Sequence, residues 1–179
     1  NPITLLSIWL MTWLAGCFAY GQNPEQHLVA GYKLNGNAKE ISHAALKGKP
    51  NGIKPATDRF GQAGQATQFT EAGYAIRGYI TLPVQISPEK LPQISICFWI
   101  KANETYQKAS PLRSGNDKAR GISTTYSNGT QRWAASAGKD GVIEGPAVLK
   151  DQWTFIAIVY DHPNQQARLI VNNEVFAGR

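Results

Sequence analysis

The stretch ISICFWIKA, residues 94–102, places Ile94, Ile96, Phe98 and Ile100 on one side of an extended chain and Ser95, Cys97, Trp99 and Lys101 on the other. A period of two is that of a strand, whose successive side chains point to opposite faces. Working outward, YAIRGYITL (74–82) alternates in the same way, setting Tyr74, Ile76, Ile80 and Leu82 against Ala75, Arg77, Tyr79 and Thr81. WTFIAIVYD (153–161) is apolar on both faces and predicts a central strand covered on both sides. YSNGTQ (126–131) sets Asn128-Gly129 between two such runs, and IVNNEVF (170–176) sets Asn172-Asn173 likewise. Asn and Gly accept the positive φ of tight hairpin turns. Strands spaced about ten residues apart with such turns predict an all-β sandwich, and no helical stripe of useful length or internal repeat competes with it.

From Asn1 to Pro24 there is no charged residue, and residues 3–14 are strongly apolar. That core of about a dozen residues is nearer the roughly 7–15 of a signal peptide than the roughly 20 of a membrane helix. A signal peptide is therefore expected over 1–22, although its basic n-region is missing and the chain starts at Asn1 without Met. LAGC (14–17) resembles the bacterial lipobox, which implies lipid on Cys17 and cleavage just before it. Cleavage after AYG (19–21), or an anchor or core helix, are the alternatives. Residues 23–27 then form a linker, and 28–179 a single domain long enough to bury roughly two-thirds of its surface. With Cys17 lipidated or removed, Cys97 is the only other cysteine of the two in the chain, so no internal disulfide is expected. The net charge is +6, but the basic residues are scattered. KGKPNGIK (47–54) is the tightest cluster, and its Gly, Pro and Asn predict a solvated loop rather than a nucleic-acid interface.

Five blocks in order carry a resemblance: LVAGYKLNGNAKE (28–40), DRFGQAGQATQF (58–69), ISICFWIKA (94–102), DQWTFIAIVYD (151–161) and ARLIVNNEVFAG (167–178). Together they resemble the laminin G-like domains of the concanavalin A-like lectin/glucanase superfamily. The resemblance implies a jelly roll of two curved antiparallel sheets, used as a binding module in exported or surface proteins. It also implies at least one further strand after the last hairpin, so the domain is expected to be incomplete at its C-terminus.

Some members of that superfamily are glycoside hydrolases, which need paired carboxylates and typically carry them as Glu-x-Asp-x-x-Glu. No Glu-x-Asp or Glu-x-Glu occurs here, and the closest pair, Asp140 and Glu144, reads as a turn. His27, His43 and His162 are isolated, and Cys97 reads as a small buried hydrophobe; no catalytic or metal role is assigned. Calcium, common in relatives, wants six or more oxygens. The acidic cluster expected after Phe69 shrinks to Glu71, and Glu40 beside Lys39 is the only acid after Asn35-Gly36-Asn37, so no cofactor is expected.

For ligand recognition the hairpin around Asn128-Gly129 stands out. A two-residue turn puts Thr124, Tyr126, Gln131 and Trp133 on one face and Thr125 and Arg132 on the other. Tyr126, Arg132 and Trp133 are the candidate binding residues for a sugar ring, against a core role for Tyr126 and Trp133; Trp99 and Trp153 are expected in the core. Asn103-Glu104-Thr105 and Asn128-Gly129-Thr130 match the N-glycan acceptor pattern, read as accidental beside a lipobox. The expected function is a non-catalytic, exported or surface-anchored module that recognises a glycan or an extracellular protein. The alternatives are an accessory domain of a larger carbohydrate-active enzyme and a spacer module without a small ligand.

Overall fold

The computed structural model describes residues 27–39, 41, 46–73, 76–105, 109–114, 120–137 and 141–178. The expected signal peptide over 1–22 with Cys17, and also Glu40, His43, Tyr74 and Asp140, lie outside the described residues. Every named element is a strand and every strand ladder is antiparallel. No helix among the described residues is long and apolar enough to cross a membrane. The chain divides into two compact units, Asn1–Val84 and Gln85–Arg179.

The first unit is built from three two-stranded ladders. β1 (Lys49–Asn51) pairs with β6 (Tyr79–Thr81), β2 (Ile53–Ala56) with β3 (Ala66–Phe69), and β4 (Glu71–Gly73) with β5 (Ile76–Arg77). Two sequence expectations are corrected here. KGKPNGIK is not a loop: it supplies β1 and the start of β2, with Gly52 at φ 61° between them and its lysines on the exposed side. The run YAIRGYITL is broken at Gly78, because the backbone of Gly52 and Thr70 closes on it. A Cβ there would lie 1.9 Å from the Gly52 carbonyl oxygen, so no side chain fits and the ladder is interrupted.

The second unit is a sandwich of two four-stranded sheets. One runs β11 (Val142–Ala147), β10 (Thr130–Ala137), β9 (Arg120–Ser127), β8 (Leu112–Arg113); the other runs β14 (Glu174–Gly178), β13 (Gln166–Val171), β12 (Trp153–Asp161), β7 (Gln93–Lys101). β10 packs across onto β13, and β11 onto β13 and β14. Between the sheets lies one core, with Ile122, Trp133, Ala135 and Ile143 from the first sheet against Ile156, Ile158, Tyr160, Leu169 and Val171 from the second. Ile122, Ile156, Ile158 and Leu169 are wholly excluded from solvent, each contributing about 1.5–3 kcal/mol of apolar burial.

β7 follows its sequence pattern, with Ile94, Ile96, Phe98 and Ile100 turned to this core and the alternate residues exposed. β12 is central, between β13 and β7. Its inward residues Thr154, Ile156, Ile158 and Tyr160 are buried, whereas Trp153, Phe155 and Val159 on the outward face are only half-buried. Ala157 on that outward face is buried, so the expectation of a central strand covered on both sides holds fully for the inward face and in part for the outward one.

A buried cation staples the lead-in to β7. Arg120, 3% exposed, donates through its guanidinium to the carbonyls of Ile86, Leu91 and Pro92 and lies 4.7 Å over the Tyr160 ring. The Tyr160 hydroxyl accepts the Gly121 N–H at 3.0 Å and donates to the Ser136 carbonyl at 2.8 Å. Burial lowers the Arg120 pKa and raises that of Tyr160, since a low-dielectric site penalises whichever form is charged.

Candidate binding surface

The β9–β10 hairpin turns at Asn128 and Gly129, with φ 50° and 77°, the positive pair that a two-residue turn of matching twist demands. The register pairs Ser127 with Thr130, Tyr126 with Gln131, Arg132 with Thr125 and Trp133 with Thr124. The expected division into two faces therefore holds, but the three candidate residues do not form one surface.

Trp133 is 2% exposed and part of the sandwich core, because its face of the hairpin looks toward the second sheet. Its ring is not offered to a ligand. Tyr126 shares that face two residue pairs nearer the tip, beyond the cover of the opposite sheet, and is 60% exposed. Beneath it a buried polar pair fixes the strands. Gln131 Nε2 donates to Thr124 Oγ1 at 2.6 Å, Thr124 Oγ1 accepts the Ala109 N–H at 2.9 Å, and the Val148 N–H bonds the Gln131 carbonyl at 2.8 Å. Tyr126 is thus an exposed aromatic on a rigid base.

Arg132 lies on the opposite face, half-buried, with Nη1 3.4 Å from the Gly145 carbonyl. On the same face Thr125 Oγ1 donates to Glu144 Oε1 at 3.0 Å. Glu144 is in a strand, β11, opposite Ala134, which corrects its reading as part of a turn. Among the described residues no three His, Cys, Asp or Glu side chains gather as a metal site requires.

Sequence reasoning missed the outward face of β7 and β12. Trp99 is 43% exposed, not core, and its ring meets that of its cross-strand partner Phe155 at 5.5 Å and 55°. In the next row Lys101 Nζ lies 5.5 Å over the half-buried Trp153. Cys97 is exposed on the same face, again contrary to the buried-hydrophobe reading. The signal was present in the alternation itself, which assigns Cys97 and Trp99 to the side away from the isoleucines; the size and apolarity of the residues pointed the other way.

No curated protein and no solved structure matches the chain. A family model of laminin G type, from the concanavalin A-like lectin/glucanases superfamily, matches residues 75–179, which is more than half of the chain. That span includes the whole two-sheet sandwich, the feature that a jelly roll of this superfamily predicts, and such domains are binding-type modules generally. The chain is a member of the concanavalin A-like lectin/glucanase superfamily, with a domain of laminin G type.

Proposed function

We propose that the chain is an exported, non-catalytic module that recognises a glycan or an extracellular protein through the tip of the β9–β10 hairpin, with Tyr126 as the contact residue. The observation that carries this reading is Tyr126 itself, a 60% exposed ring on a strand pair that the buried Thr124–Gln131 hydrogen bond ties together. A phenol on a preorganised strand offers a large contact area at little entropic cost and stacks on the C–H face of a sugar ring or on an apolar side chain. Arg132, committed to the Gly145 carbonyl on the reverse face, supports the hairpin rather than the ligand.

The reading is checked by screening the chain on a glycan array and titrating the strongest hit by calorimetry, with Tyr126→Ala in parallel. The expected result is a loss of about tenfold or more in affinity, about 1.4 kcal/mol, with the melting temperature held. Undiminished binding by the variant excludes the hairpin tip as the site.

A further inference from the structure

In the unit Asn1–Val84 the segment after Tyr32 lines an open depression of about 430 Å³, with Lys33, Asn35, Asn37, Lys39 and Ile41 around it. The volume lies within the roughly 300–1,000 Å³ of small-ligand sites. The backbone that frames it is tied down. Thr67 Oγ1 accepts the Gly36 N–H at 2.9 Å and donates to the Leu34 carbonyl at 2.6 Å. Leu34 and Gly36 both hold positive φ, 53° and 80°, and a Cβ at Gly36 would meet Pro55 Cγ at 2.5 Å. The turn is therefore pressed onto β2 and needs its glycine. The Asn37 side chain donates to Asn35 Oδ1 at 2.7 Å and accepts the Lys39 N–H at 2.8 Å. These bonds orient both amides, while Lys33 and Lys39 stay exposed on either side of them in the chain.

The chemistry is that of an anion with hydroxyls beside it. Residues 28–84 hold seven Lys and Arg against three Asp and Glu, so the surrounding field is positive and draws anions in. Ammonium groups bind carboxylates as mobile point charges, whereas amides both donate and accept, as neighbouring sugar hydroxyls do. Ile41, 57% exposed, adds the apolar wall that a ring's C–H face needs. A bare inorganic anion would use the lysines and leave the oriented amides and Ile41 without a role.

We propose that this depression is a subsite for an acidic sugar unit, a uronate, whose carboxylate is held by Lys33 and Lys39 while its hydroxyls bond Asn35 and Asn37 and its ring lies on Ile41. The site shares no residue with the β9–β10 hairpin and is tested independently of Tyr126.

The test is calorimetric titration of the 179-residue chain with trigalacturonate and with its neutral analogue, trigalactose. Trigalacturonate is expected to bind about tenfold or more tightly than trigalactose and to weaken as salt rises, because exposed charges are screened. Changing both lysines, Lys33→Gln with Lys39→Gln, is expected to lower trigalacturonate affinity by about tenfold. The Arg pair at the same positions should restore it, and Tyr126→Ala should leave it unchanged. Circular dichroism of each variant checks that the fold is retained. No binding of trigalacturonate, equal binding of trigalactose, or indifference to the Gln pair overturns the proposal. Equally tight binding of acetate or of a tetraglutamate peptide overturns the sugar assignment in favour of an unselective anion site.

Discussion

Tyr160 shows how a single buried hydroxyl sets a pH limit on this fold. Its pKa is raised, mainly by burial and against the pull of the Gly121 N–H and the Arg120 charge, so the folded state holds the proton more tightly than the unfolded chain. Its contribution is fully present below the ordinary tyrosine pKa of about 10 and is lost as pH rises through the higher folded value. The expected outcome is a melting temperature that falls above about pH 10. Tyr160→Phe should be less stable at neutral pH by about 1–3 kcal/mol for the lost bonds to the Ser136 carbonyl and the Gly121 N–H, yet fall less steeply in alkali. Parallel melting curves for the two proteins from pH 8 to 11 would remove Tyr160 from the account. At this scale the sequence is legible as a two-way choice. Alternation showed that Tyr126 and Trp133 share a face. It could not show that the opposite sheet covers one and stops short of the other, because that sheet comes from residues 93–101 and 153–178, distant in the chain.

The β-strands anticipated in the sequence are β7 by its period of two, β12 by its continuous apolar run, and the β9–β10 and β13–β14 hairpins by their Asn turns. The departures share one cause, backbone approaching backbone. Gly78 interrupts its strand because Gly52 occupies the space a side chain would need, and a cluster of Lys, Pro and Gly becomes β1 and β2 because β6 and β3 arrive to pair with it. Neither approach leaves a mark on local composition. Arg120 is the same kind of feature, a charged residue opening β9 that would pass for a surface cation. Its guanidinium bonds the carbonyls of Ile86, Leu91 and Pro92, of which that of Pro92 also accepts the His162 N–H at 3.0 Å, so Arg120→Met should cost about 1–3 kcal/mol at most for each of the Ile86 and Leu91 carbonyls that loses this donor. A total loss of about 2–4 kcal/mol, and faster proteolysis near Leu91, are expected in urea melts and limited digestion. A midpoint within experimental error of the wild type would show that water replaces the guanidinium without cost.

For the whole molecule, the family was legible in blocks that occur in order: ISICFWIKA, DQWTFIAIVYD and ARLIVNNEVFAG lie on the sandwich and within residues 75–179, which the family model matches, whereas the blocks at 28–40 and 58–69 precede that span. The N-terminal segment bears on where the module works. We propose that Cys17 is lipidated, on the strength of LAGC at the end of an apolar run; several acyl chains on one residue hold a protein stably at a bilayer, where a single chain does not. Expressed with its leader in a Gram-negative host, the wild type is expected in the membrane fraction and Cys17→Ser in the soluble one. Equal partition would refute lipidation and leave simple secretion standing. The Asn128–Gly129 turn carries a consequence for how such a module diversifies. A Cβ built at Gly129 meets nothing within 4 Å, and doubling a flexible loop's length costs only about 0.6 kcal/mol in closure entropy. The tip can therefore be lengthened by insertion while the ladder behind it, pinned at Thr124 and Gln131, keeps its register. A lineage has room there to grow new specificities, and a laboratory library of inserted peptides has the same freedom.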